Sequence, residues 1–179
     1  MIRSFCRQRR AVLVATLAFL VGCKSKQPVK VQQAAEEGPR IASMVHTGDP
    51  KSQDQLLNGF YGIEQNSWRW TGRKFSVALR PPPGSSQKGA VLNVQLAIPD
   101  PVINQLKAVS LSGNVGTAPL SPESYTQTGQ YTYTRDVPPS ALTGESVRID
   151  FQLDKSIPPG DVDKRELGII VNSVSLDAK

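Results

Sequence analysis

Short stretches in which every second residue is apolar recur through most of this chain, and they constrain its fold more than any other feature. Leu92, Val94, Leu96 and Ile98 alternate with Asn93, Gln95 and Ala97, and Val147, Ile149, Phe151 and Leu153 alternate with Arg148, Asp150 and Gln152. Phe75, Val77 and Leu79 alternate with Lys74, Ser76 and Ala78, Val109 and Leu111 with serines, and Tyr131 and Tyr133 with threonines. The run Ile169 to Leu176 is apolar at first and then alternates. Successive strand side chains point to opposite faces, so each segment offers one face to a core and one to water or a partner. Turn chemistry separates them at Pro81-Pro82-Pro83-Gly84, Pro99-Asp100-Pro101, Ser112-Gly113-Asn114, Thr128-Gly129 and Pro158-Pro159-Gly160. No segment after residue 60 carries a long stripe at helical spacing, and Pro138 to Gly144 suits a single helical turn. The expectation is an all-β domain over residues 59–179, an antiparallel β-sandwich of seven to nine strands, long enough to hold a core without staples.

The amino-terminal end has a different texture. Met1 to Arg10 carries four arginines and no acid, and Ala11 to Gly22 is uncharged. A basic start and a short apolar core describe a secretory leader, too short to span as a membrane helix. Its ending, Leu20-Val21-Gly22-Cys23, resembles the lipobox of bacterial lipoproteins. That resemblance implies cleavage after residue 22 and a Cys23 whose thiol carries diacylglycerol and whose freed amine is usually acylated too. Several acyl chains together anchor stably, at about 0.8 kcal/mol per buried methylene. From Cys23 to Asp49 the chain is Lys, Gln, Glu, Ala, Ser and Pro with scattered Val, which reads as a tether, reaching about 30 Å on random-coil scaling. Asp49-Pro50 looks like an N-cap followed by a first-turn proline, and Gly59 like a stop, so residues 50–58 are expected to hold a short helix.

This division changes what composition means. Removing Arg3, Arg7, Arg9 and Arg10 with the leader lowers the formal charge from +6 to +2, so the basic pI is mostly a sorting signal and gives no ground for a nucleic-acid partner. Cys6 leaves with the leader and Cys23 carries lipid, so the expected mature fold has no free thiol and no disulfide. His46 is the lone histidine, in a polar stretch near Gly and Pro, where it reads as a solvated linker residue. Ser–His catalysis and His- or Cys-based metal sites are thereby disfavoured, and nothing indicates a cofactor.

Two segments remain as candidates for function. One is Gly59-Phe-Tyr-Gly-Ile-Glu64 with Ser67-Trp-Arg-Trp-Thr-Gly72 close behind it, and the other is Asp161-Val-Asp-Lys-Arg-Glu-Leu-Gly168. Trp68 and Trp70 lie two apart, so on a strand they share a face while Arg69 takes the other. Two indoles on one face either form a platform for sugar rings or sit in the core. Glu64, Arg69, Asp163 and Arg165 either hold hydroxyls or pair with one another in a structural network. Asp161, Asp163 and Glu166 offer oxygen ligands suited to calcium, yet Lys164 and Arg165 interleave and the spacing matches no EF-hand, which favours a solvated turn.

The combination Gly-Phe-Tyr-x-x-Glu, Trp-Arg-Trp-Thr-Gly and Asp-x-Arg-Glu-Leu-Gly-Ile-x-Val resembles a β-sandwich module of bacterial cell-envelope and polysaccharide-related proteins. The similarity runs from about Gly59 to Leu176 and implies a jelly-roll-like sandwich with a carbohydrate role. Glu64, Trp68, Arg69, Trp70, Asp163 and Arg165 fall on its recurring positions, where they bind ligand or define the fold. The leading expectation is a lipid-anchored, non-catalytic envelope protein, in the outer membrane by the residue after Cys23, whose sandwich binds a glycan. A second is an envelope module that contacts another protein through a sheet edge or through the Thr-rich strand from Thr126 to Thr134. A third is a glycoside-active enzyme drawing on Glu64, Asp150, Asp154, Asp163 and Glu166, which requires two carboxylates about 5–9.5 Å apart.

Overall fold

The computed structural model describes residues 41–179. The expected leader, the lipidated Cys23 and the tether as far as residue 40 lie outside the described residues. The described residues form nine strands: β1 Met44–His46, β2 Leu56–Glu64, β3 Trp68–Leu79, β4 Ala90–Ile98, β5 Val109–Val115, β6 Ala118–Tyr125, β7 Gly129–Val137, β8 Val147–Leu153 and β9 Ile170–Ala178. Two short helices join them, α1 Ser85–Lys88 and α2 Asp100–Leu106.

All pairings are antiparallel, along the order β6-β5-β8-β3-β9-β4-β7, with β2 beside β3 and β1 beside β9. The long strand β3 belongs to both layers of this sandwich. Its first residues, Arg69 and Trp70, pair with β9, whereas Lys74–Leu79 pair with β8. A strand that changes sheets in this way makes a corner and draws the two inner faces together. The ends of the path meet as well, without a backbone ladder. Tyr133 donates its hydroxyl to the Ser121 carbonyl at 2.8 Å, and Arg135 donates to the carbonyls of Ser121 and Pro122. Pro119 and Pro122 remove two N–H groups from β6, so side chains of β7 satisfy an edge that would otherwise invite another strand.

The alternation in the sequence becomes the core. Val147, Ile149, Phe151 and Leu153 of β8, and Leu92, Val94, Leu96 and Ile98 of β4, are all buried in one apolar cluster. Each such side chain contributes about 1.5–3 kcal/mol relative to exposure. Strand β9 breaks step. Ile169 and Val171 are buried, and the next core residues are Val174 and Leu176. The register against β4 slips at the same place, Gln95 facing Ser173 and Leu96 facing Val171, which leaves Asn172 as the extra residue of a β-bulge.

The fold departs from the sequence-based expectation at four places. The expected tether over residues 23–49 does not extend over residues 44–47, because Met44–His46 pairs with β9 and Val45 and Thr47 are buried. The expected helix over residues 50–58 is a 3₁₀ segment, Pro50–Gln55, with Asp49 accepting a hydrogen bond from the Lys51 N–H at 2.9 Å, and β2 has begun by Leu56. Gly59 therefore stops no helix. It lies within β2 at φ +73°, where a Cβ would fall 1.9 Å from the Lys74 carbonyl oxygen, so the irregular β2–β3 register there requires glycine. The two-turn helix α2 and the strand β6 have no counterpart in the alternation analysis. The prolines Pro99 and Pro101 frame the first of them as turn residues, and those of β6 interrupt the second.

Candidate functional site

The Asn66 turn between β2 and β3 brings several polar groups to one end of the sandwich. Gln65 and Asn66 take left-handed backbone angles, φ 50° and 53°, as the tight connection between antiparallel strands demands. The turn lifts Asn66 and Ser67 beside the start of β3, where Trp68 is half-buried. Behind it runs the segment after β1. Gly48 passes so close that a Cβ there would sit 2.4 Å from the Ser67 carbonyl oxygen. Across from them the bulge in β9 turns out Asn172, which lies 3.5 Å from Gln130 of β7, Nδ2 to Oε1.

These residues surround a cleft of about 580 Å³, lined by His46, Asn66, Ser67, Trp68, Gln130 and Asn172 with Gly48, Ala97 and Ile170 completing the surface. Small-ligand sites are commonly about 300–1,000 Å³, apolar in the main, with a few directed polar groups. This one offers an indole, an imidazole, three side-chain amides and a hydroxyl, and neither a carboxylate nor a Lys or Arg lines it. Planar amides supply donor and acceptor together, which matches vicinal hydroxyls, and an indole face stacks on C–H surfaces.

Of the six candidate binding residues Glu64, Trp68, Arg69, Trp70, Asp163 and Arg165, Trp68 alone lines this cleft. Trp70 is buried in the core, and the two indoles meet edge to face with centroids 6.2 Å apart at 75°, so they form no shared flat platform. Arg69 is buried on the opposite side of β3. It donates to the Thr47 carbonyl at 2.7 Å, the Tyr61 carbonyl at 2.8 Å and Gln53 Oε1 at 3.0 Å. Burial lowers its pKa, and no carboxylate among the described residues pairs with it. Its three acceptors belong to three different segments, which it clamps behind the cleft.

Glu64, Asp163 and Arg165 come together next to that cleft, Glu64 facing Trp68 across the β2–β3 pair, but none of the three lines it. Arg165 donates to both oxygens of Asp163 and, at 2.7 Å, to Glu64 Oε1. Its guanidinium lies 5.2 Å from the Tyr61 ring centre, and the Tyr61 hydroxyl donates to the Glu166 carbonyl at 2.7 Å. Hydrogen bonds from the Arg165 side chain first, and its backbone N–H second, hold the Asp163 carboxyl at about 2, while Asp163 and Glu64 raise the pKa of Arg165. Of the other two acids in that turn, Glu166 accepts from Ser156 at 2.7 Å and the exposed Asp161 lies 3.6 Å from Lys164 Nζ. Among the described residues no cluster of three His, Cys, Asp or Glu could hold a metal ion.

Asn66, Gln130 and Asn172 escaped the sequence reading, and His46 was read only as a solvated linker residue. His46 is exposed as expected, but on a paired strand at the cleft rim. The signal for Asn172 was the lost step of alternation between Val171 and Val174.

No protein-family model matches the chain, and no curated protein matches it. Solved structures of similar shape exist at low identity. TmCBM27, a carbohydrate-binding module described for specific mannan recognition, is 12% identical with a TM-score of 0.44, and the match covers 78% of this chain and 98% of that one. The CBM36-1 domain of a multidomain xylanase from the hindgut metagenome of Trinervitermes trinervoides is 10% identical with a TM-score of 0.43, over 76% of this chain and 96% of that one. The GH115 4-O-methyl-α-glucuronidase BtGH115A is 11% identical with a TM-score of 0.45, over 76% of this chain, which spans only 17% of the glucuronidase.

Proposed function

We propose that this domain is a non-catalytic glycan-binding module, displayed from the cell envelope by acyl chains on Cys23. The observation that carries the reading is the Trp68 cleft: one half-exposed indole faced by Asn66, Gln130 and Asn172, with no charged side chain of Lys, Arg, Asp or Glu in the lining. Stacking supplies affinity there and the amides supply orientation. Glycoside hydrolysis needs an acid and a second carboxylate on either side of the scissile bond, and this cleft contributes neither. The acids of the Glu64–Arg165–Asp163 group are engaged in their own hydrogen bonds.

The test is binding of the full chain, solubilised in detergent, to a panel of polysaccharides, beside a Trp68→Ala variant of unchanged thermal stability. Retention of the wild type and loss of retention in the variant are expected. A wild type that binds no glycan on the panel overturns the reading and leaves a protein partner as the better account of the envelope module.

A further inference from the structure

The Trp68 cleft does not end at Gln130. A second depression of about 480 Å³ adjoins it, lined by Pro99, Asp100, Pro101, Thr128 and Gly129, and Ala97, Gln130 and Ile170 line both. The shared residues come from three neighbouring strands, since Ala97 of β4 faces Gln130 of β7 on one side and Ile170 of β9 on the other. The two depressions are therefore successive compartments of one trough across the end of the sheet, open to solvent in both. Each lies in the volume range that accepts a whole small ligand. Together they exceed what one sugar ring occupies.

Charge narrows the ligand further. Neither compartment is lined by Lys or Arg, and Asp100 is the one carboxylate in the pair. A uronate or sulfate placed here would find neither Lys nor Arg and would meet Asp100 at the far end, so an acidic polymer is disfavoured on both counts. Polar side chains continue along the trough, with Asn66 and Ser67 at one end, Asn172 and Gln130 in the middle, and Thr128 and Asp100 at the other. Ile98, Pro99 and Pro101 give the second compartment an apolar surface of its own.

Resting on the glycan reading above, we infer that the trough takes an extended stretch of a neutral polysaccharide, with one sugar subsite at Trp68 and a second at Pro99–Pro101 and Thr128–Gln130. Chain length is then read directly as affinity, because only a longer oligomer reaches both compartments.

The experiment measures affinity of the full chain by calorimetry for neutral manno-, xylo- and gluco-oligosaccharides from monosaccharide to hexasaccharide, and for a galacturonan hexamer. Affinity for one neutral series should rise roughly tenfold or more between the short and long members, the gain that one additional productive subsite brings. The galacturonan hexamer should bind at least tenfold more weakly than the best neutral hexamer. A Thr128→Trp variant, which fills the second compartment, should lose the gain with length. Trp68→Ala should weaken binding of short and long members alike. A neutral series with no length dependence, or a galacturonan that binds as well, overturns the second subsite or the neutral selection and leaves the glycan reading standing. A Thr128→Trp variant that keeps the full gain places the second subsite elsewhere and overturns this assignment. Absence of binding by any oligomer and any polysaccharide overturns both proposals together.

Discussion

Arg165 donates to Glu64 across 2.7 Å, joining residues that are 101 positions apart in the chain. Through that bond, and through its grip on Asp163, the loop after β8 is tied to β2. The three side chains are each about one-third exposed. Solvent screens the ion pairs accordingly, and Arg165→Ala is expected to lower stability by only about 1 kcal/mol, part of it lost packing of the arginine stem over Tyr61. Its glycan affinity should equal that of the wild type. Denaturant unfolding and calorimetry on the same sample check both expectations. Unchanged stability with lost binding would move Arg165 from the scaffold to the ligand.

The same network sets a dependence on acid. Asp163 ionises at about 2 in the folded chain, below the ordinary value of 3.8. A carboxyl depressed by folding contributes stability that is complete above the unfolded value and disappears as pH falls through the folded one. The contribution of Asp163 should therefore be lost between about pH 4 and pH 2. Asp163→Asn lacks an ionisation there, so its acid unfolding curve should be shallower than the wild type over that window. Superimposable curves would mean that the pairing with Arg165 does not shift the carboxyl.

Arg69 is expected to matter more than Arg165, because Arg69 itself and its bond to the Thr47 carbonyl are buried. Replacing it with alanine strands the carbonyl oxygens of Thr47 and Tyr61 without their donors, and a buried group left unpaired costs about 1–3 kcal/mol. Arg69→Ala should lose about 2–4 kcal/mol, and Arg69→Lys should recover only part, since one ammonium cannot reproduce the guanidinium fork. Urea midpoints at constant slope measure this. A lysine variant as stable as the wild type would show that charge, and not the three-way geometry, is what the position requires.

The strand content of this fold was legible because side-chain alternation is a local consequence of a one-sided core. Leu92 to Ile98 and Val147 to Leu153 are buried on the positions the alternation marks. The site was legible only in part. Trp68 and Trp70 are equivalent by spacing, and what separates them is which segment lies over each, a fact set by Gly48 passing Ser67 and by strands remote in sequence. Arg69 reads as a surface ligand in Trp-Arg-Trp because nothing local reveals that β1 and the 3₁₀ segment cover it. Gln130 and Asn172 meet through two different strand pairings with β4, which no spacing rule could join.

Gly48 tests the wall of the cleft. An alanine Cβ would meet the Ser67 backbone at 2.4 Å, so backbone must move on one side or the other. Crowding of this kind costs about 1–3 kcal/mol. Gly48→Ala should lower the unfolding midpoint and also weaken glycan binding, since Ser67 and Trp68 are the groups displaced. A variant that loses stability and keeps full affinity would place the ligand away from the Asn66 turn.

The two tryptophans should separate cleanly. Trp70 is buried, so Trp70→Ala leaves a cavity and should cost about 3–5 kcal/mol. Trp68 is half-buried, and its removal should cost appreciably less while abolishing binding. Fluorescence distinguishes them without relying on stability alone. In a Trp70→Phe variant the remaining indole, Trp68, should respond to added neutral oligosaccharide with a saturable change, whereas in Trp68→Phe the buried Trp70 should not respond. A response that follows Trp70 would require the core to open on binding, and the trough at the end of the sheet would then be the wrong place for the sugar.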